Sequence, residues 1–160
     1  MQGVVYKHGD ILTPNTTDTN VIVCHQVNCM GVMGAGLAKQ VRQQLPNAYE
    51  QYKLRCSSFK PEDNLGTVLY LDYREYTGYI LANCFGQLNY GRNGVYTNYK
   101  AIRSCLENVS YLAQQDNSTV RIPYLMGCGL AGGNWDTLES IIRVALINRK
   151  VNVEIWSINH

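Results

Sequence analysis

The amino-acid sequence predicts an α/β fold of three layers, with helices on both faces of a central mixed sheet of about six strands. Three observations carry this expectation. Short apolar runs alternate with stretches of helical periodicity along the whole chain. Two of the strand-to-helix junctions are rich in glycine. No repeat, low-complexity tract or linker divides the 160 residues, so residues 1–160 are read as a single domain. Crossover helices between parallel strands must cover both sheet faces, which makes the third layer.

Residues 3–7 and 20–24 are β-branched runs, and the second is apolar throughout, as suits a strand covered on both faces. A helix is expected from about Leu37, with Leu37, Val41 and Leu45 on one face, until Pro46 ends it; residues 48–55 continue as a second helical piece. Residues 66–72 and 79–84 read as strands joined by a turn at Thr77 and Gly78, and the polar residues 86–95 read as a loop. The clearest helix spans residues 98–115, where Ile102, Cys105, Leu106, Val109, Leu112 and Ala113 recur at helical spacing and Thr97 or Asn98 is available as N-cap. A strand at 119–125, a loop at 126–134, a helix at 135–148 with Asp136 as its capping residue, and a strand at 151–158 complete the chain.

Composition excludes several classes of function. Fourteen basic and twelve acidic residues are scattered without a stripe that would track a nucleic-acid backbone. No run of 18 apolar residues exists to span a bilayer, and the first ten residues lack the character of a secretion signal. A cytoplasmic monomer without a membrane partner is expected. The six cysteines, at 24, 29, 56, 84, 105 and 128, stand singly with no C-x-x-C pair, and three histidines add little toward a metal site. Reduced thiols, no metal and no cofactor are therefore expected.

The glycine-rich junctions carry the chemistry. The first runs His25-Gln26-Val27-Asn28-Cys29-Met30-Gly31-Val32-Met33-Gly34-Ala35-Gly36, the second Gly127-Cys128-Gly129-Leu130-Ala131-Gly132-Gly133-Asn134. Each lies between an apolar strand and an amphipathic helix, where glycine lets the backbone approach a ligand and the N–H groups of the helix start form an anion site. Neither contains the G-K-[ST] ending of a Walker loop, and the first lacks the third glycine of a dinucleotide fingerprint. A ligand with two adjacent phosphates would use both loops.

Taken together, Gly9-Asp10-Ile11, the pattern H-x-x-N-C-x-G-x-x-G-x-G-x-A from His25 to Ala38, then Pro46, Tyr49 and Tyr52, and Pro123 followed by Gly127-Cys128-Gly129-Leu130, resemble the macrodomain family over essentially the whole chain. The likeness is greatest to the branch with the yeast phosphatase for ADP-ribose 1''-phosphate, the antitoxins that act on ADP-ribosylated DNA, and the glutamate-directed ADP-ribosyl hydrolases. That resemblance implies a ligand, ADP-ribose or ADP-ribose 1''-phosphate, and a set of contacts. Asp10 would accept a hydrogen bond from the adenine amino group beside the Ile11 backbone, the alternative for Asp10 being a turn residue. Asn28 would bind the distal ribose. Gly31, Met33, Gly34, Ala35 and Gly36, with Gly127, Cys128, Gly129, Leu130 and Ala131, would wrap the diphosphate. Trp156 would stack near the adenine or pack in the core.

Two departures bear on catalysis. Gln87 stands where the antitoxins and glutamate-directed hydrolases carry a lysine, and Ala131 where the latter carry an acidic residue; an amide cannot attack an anomeric carbon as an amine can. His25, with Asn28, is the remaining catalytic candidate, as general acid/base near the distal ribose or as a structural histidine. Asn83, Gln87, Tyr90 and Asn98 would add polar contacts there. The expectation is an enzyme hydrolysing a small ADP-ribose derivative, preferably the 1''-phosphate. The alternatives are a non-catalytic ADP-ribose-binding module or an ADP-ribosyl hydrolase with a different catalytic set, and nucleic acid enters only as a modified substrate.

Overall fold

The computed structural model describes residues 3–158. Its strands are β1 (Val4–His8), β2 (Val21–Asn28), β3 (Val68–Asp72), β4 (Tyr79–Gln87), β5 (Thr119–Pro123) and β6 (Asn152–Ser157). The helices are α1 (Gly36–Gln44), α2 (Ala48–Ser58), α3 (Pro61–Asn64), α4 (Arg74–Thr77), α5 (Tyr99–Asp116) and α6 (Trp135–Ala145), followed by a 3-10 turn, Ile147–Arg149. The six strands form one sheet in the order β1-β6-β5-β2-β4-β3. Only the β3–β4 pair is antiparallel, so the sheet is mixed, as expected.

Alternation along β2 sets the three layers. Ile22 and Cys24 point to one face and pack with Ile102, Leu106 and Val109 of α5 and with Leu138 and Ile142 of α6. Val21 and Val23 point to the other and meet Val41 of α1, Leu45 and Ala48. All of these side chains are buried, and burial of each aliphatic one contributes about 1.5–3 kcal/mol relative to exposure. The α/β/α sandwich is therefore dictated by two apolar stripes on one central strand.

Two strands run further than the apolar pattern predicts. β2 continues through His25 to Asn28 and β4 through Gln87, although His25, Gln26, Asn28 and Gln87 are polar. Buried polar strand residues are tolerated when they find partners, and here they find each other: His25 is paired in register with Asn83 and bonded to it, and Gln26 is bonded to Gln87. The turn at Thr77 and Gly78 is preceded by the short helix α4, and α3 follows Lys60. Asn98 caps α5 as expected, its side chain accepting from the Ala101 N–H at 2.9 Å. At α6 the cap is Asn134, which accepts from the Thr137 N–H at 3.2 Å, and Asp136 instead places its charge in the first turn.

One buried charge was hidden in a strand. Arg121 of β5 is 5% exposed and faces away from α5, under the loop after β1. Its guanidinium donates to the carbonyls of Ile11 (2.9 Å) and Thr13 (2.7 Å), lies 3.8 Å from the Glu154 carboxylate and sits 4.6 Å over the Trp156 ring. Burial pulls its pKa down, opposed by Glu154. Replacement by an apolar isostere would leave two carbonyls without donors, and each such loss costs about 1–3 kcal/mol. Arg121→Met is therefore expected to lower the unfolding free energy by about 3 kcal/mol, measured by urea denaturation.

Candidate functional site

Five of the six strands run parallel, so their C-terminal ends open on the same edge of the sheet. After β2 the chain pairs β4 on one side of it and later β5 on the other, and a crevice forms where connections diverge this way. The crevice here is a cleft of about 770 Å³, within the usual size range of small-molecule sites. Its walls are residues 25–28, Val32 and 34–38 from the first glycine junction, Gln87 and 90–92 after β4, and 123–127 and 129–131 after β5.

Helix α1 starts at this wall with its first turn open. Ala35 at the N-cap offers no side-chain acceptor, and no acidic residue lies in the first turn, whereas α5 and α6 are both capped by asparagine. The unpaired N–H groups of a helix start carry a partial positive charge, so an anion is the natural acceptor here. Across the cleft the second junction is locked to the segment after β4. The Thr97 hydroxyl donates to the Gly127 carbonyl at 2.6 Å and accepts from Gln26 Nε2 at 2.9 Å. The N–H groups of Tyr96 and Thr97 both donate to the Ala131 carbonyl, at 2.7 and 3.2 Å. Gly132, at φ +75°, lies directly against the Gly94 carbonyl, so any Cβ there would force the two segments apart.

Asn28 lines the cleft, and its side chain is also committed to the first loop. Its Oδ1 accepts from the Met30 N–H (2.9 Å) and the Tyr52 hydroxyl (2.8 Å), while Nδ2 donates to the Val32 carbonyl (2.8 Å). Gln87 is similarly held, with Oε1 accepting from Gln26 and Nε2 donating to the Asn89 carbonyl. Of the other expected contact residues, Gly34, Ala35, Gly36, Gly127, Gly129, Leu130 and Ala131 line the cleft; Asp10, Ile11, Gly31, Met33, Cys128 and Trp156 stand outside that lining. Asp10 accepts from the Leu12 N–H at 2.9 Å as a turn residue, and Trp156 packs on Arg121 with its indole N–H on Glu154. Met33 is buried against Tyr52 and Phe85. Tyr90 lines the cleft, whereas Asn83 bonds His25 and Asn98 caps α5, both outside the lining. Among the described residues no group of three acidic, histidine or cysteine side chains is placed to hold a metal.

His25 has an unusual state. The Asn83 amide nitrogen donates to the Leu69 carbonyl, which turns Oδ1 toward His25 Nε2 at 2.6 Å. Nε2 must then carry the proton, and Nδ1 is a bare lone pair, buried with no partner. Burial lowers the pKa to about 4, the Asn83 bond opposing it. At neutral pH the ring is uncharged. Sequence reasoning also passed over Gln26, Thr97 and Arg92; the polar run after an apolar strand was the signal for the first, and nothing local marked the others.

The buried imidazole links stability to pH. Between pH 6.5, the ordinary histidine value, and about 4, the unfolded chain holds a proton on this residue that the folded chain refuses. The stabilisation from His25 is thus fully present above pH 6.5 and is lost as pH falls toward 4. The cost over that window is on the order of 3 kcal/mol. Urea unfolding followed from pH 7 to 4 is expected to show this slope, and His25→Gln to remove it.

Comparison with known proteins agrees with the fold. The sequence model of the Macro domain family matches residues 24–142. The chain is 28% identical over 155 residues to an uncharacterized 17.5 kDa protein of the tk-vs intergenic region of Enterobacteria phage T4, with 96% of each covered. It is 32% identical over 75 residues to the DNA ADP-ribosyl glycohydrolase of Mycobacterium tuberculosis, a stretch that spans 47% of this chain and 20% of that longer protein. A macrodomain protein from Streptomyces coelicolor superposes with a TM-score of 0.79 at 25% identity over 98% of both chains. Thermosipho africanus DarTG, solved in complex with ADP-ribose, superposes with a TM-score of 0.69 at 20% identity over 91% of this chain and 44% of that one, a likeness of fold. This chain belongs to the Macro domain family.

Proposed function

We propose that the cleft binds ADP-ribose and that the protein hydrolyses ADP-ribose 1''-phosphate to ADP-ribose and phosphate. The observation that carries the binding half is the pairing of two backbone donor sets across one cleft. The open first turn of α1 faces the second glycine junction, and no carboxylate lines the space between them. A diphosphate bridging these donors gains charge-assisted hydrogen bonds without opposing charge. The DarTG complex with ADP-ribose, on the same fold, supports this choice of ligand.

The state of His25 supports a phosphate leaving group. A ring with a pKa near 4 donates no proton at neutral pH, and Gln87 supplies no amine nucleophile. A sugar phosphate needs neither, because phosphate departs as a stable anion. The bare Nδ1 accepts a hydrogen bond from a water and orients its oxygen on the anomeric carbon. As the new C–O bond forms, the C–O bond to phosphate breaks with its electron pair on phosphate, and the proton released from the water passes to phosphate or solvent. His25 positions the water as an acceptor throughout.

Phosphate release from ADP-ribose 1''-phosphate tests the catalytic half. The unsubstituted chain is expected to release phosphate with label from heavy-oxygen water appearing in ADP-ribose, and His25→Ala to lower kcat by about a hundredfold. No release at high protein concentration, with calorimetric ADP-ribose binding intact, would leave a binding module. Absence of ADP-ribose binding even at millimolar ligand, where about 4 kcal/mol suffices, would remove both.

A further inference from the structure

The cleft has two unlike ends. The sheet order puts β5 on one side of β2 and β4 on the other, so residues 123–125 wall one end and residues 90–92, after β4, wall the other. The second end also borders Asn28 and His25, whose strand pairs with β4. Among the described residues lining the cleft, Arg92 is the one formal cation and none is a carboxylate; His25 is neutral. Arg92 is exposed and makes no hydrogen bond or ion pair with another described residue. An arginine at a ligand cleft with its fork unspent differs from Arg121, whose Nη1 is committed to two carbonyls.

The backbone that carries Arg92 is nonetheless held. Gly91 packs against the Tyr96 hydroxyl, Gly94 against Gly132, and the Tyr96 N–H is bonded to Ala131. The root of the arginine is thereby tied to the same junction that faces α1, while its guanidinium remains available. The open helix start and the second junction already offer N–H donors for a diphosphate, so a further cation at the β4 end points to a further anion.

We infer that Arg92 is a specificity residue that recognises a phosphate monoester on the distal ribose, making the cleft prefer ADP-ribose esterified there over ADP-ribose itself. This rests on the ADP-ribose reading of the cleft. A guanidinium meets a phosphate through two parallel N–H donors, which an ammonium cannot reproduce and a neutral distal hydroxyl does not reward. Backbone N–H groups supply the common part of the affinity, and Arg92 supplies the difference.

Displacement of a fluorescent ADP-ribose analogue, read on mixing, gives the affinities of ADP-ribose and ADP-ribose 1''-phosphate whether or not the ester is turned over. The unsubstituted chain is expected to prefer the ester by about tenfold or more, the scale of one hydrogen-bonded charge pair. Arg92→Gln is expected to bring the ratio to within about threefold of one, and Arg92→Lys to keep part of the preference. An unchanged ratio in Arg92→Gln, equal weakening of both ligands, or no preference in the unsubstituted chain that still binds ADP-ribose would each overturn this inference alone. A chain that binds neither ligand overturns the ADP-ribose reading and this inference with it.

Discussion

The hydroxyl of Thr97 joins three segments that are distant in sequence. It donates to the carbonyl of Gly127 in the second glycine junction and accepts from Gln26 of β2, while Gln26 in turn donates to Gln87 at the end of β4. A buried network of this kind tolerates little displacement, because each broken bond leaves a partner desolvated and unpaired. Everything that makes the cleft a clamp follows from it. The second junction cannot drift from β2, the segment that carries Arg92 cannot drift from the second junction, and α1 is tied to β2 by the loop that Asn28 shapes.

The same economy appears at the other end of the sheet edge. Arg121 holds the carbonyls of Ile11 and Thr13 and supports Trp156, so the loop after β1 is fixed from beneath by one side chain. In both places a buried polar side chain organises a loop distant from it in sequence. The apolar stripes of β2 decide where the layers go, and the polar residues between them decide where the loops go. Neutral His25 belongs to this second group: its proton is committed to Asn83, which leaves an acceptor rather than a charge at the cleft wall.

The layers and the order of elements were legible because they rest on period, and period survives in a single sequence. Ile102, Leu106 and Val109 announce α5, and the run from Val21 to Cys24 announces a strand covered twice. The ends of β2 and β4 were not legible, since His25, Gln26 and Gln87 look like loop residues until their cross-strand partners are known. The glycine junctions were recognisable from composition, and most of their glycines do line the cleft. What composition could not tell is the state of the side chains around them: that Asn28 is bonded to its own loop, that His25 is deprived of its charge, that Arg121 is spent on carbonyls and Arg92 is not. Those are properties of neighbours, and neighbours come from the fold.

On the proposed reading, the open start of α1 and the second glycine junction grip one diphosphate ligand from opposite sides of the cleft. Amide hydrogen exchange with and without saturating ADP-ribose tests it most directly. Protection is expected to concentrate in residues 35–38 and in Gly127 and residues 129–131, which wall the cleft on its two sides. Protection confined to one of these segments, or absent from both while ligand is bound, would contradict it.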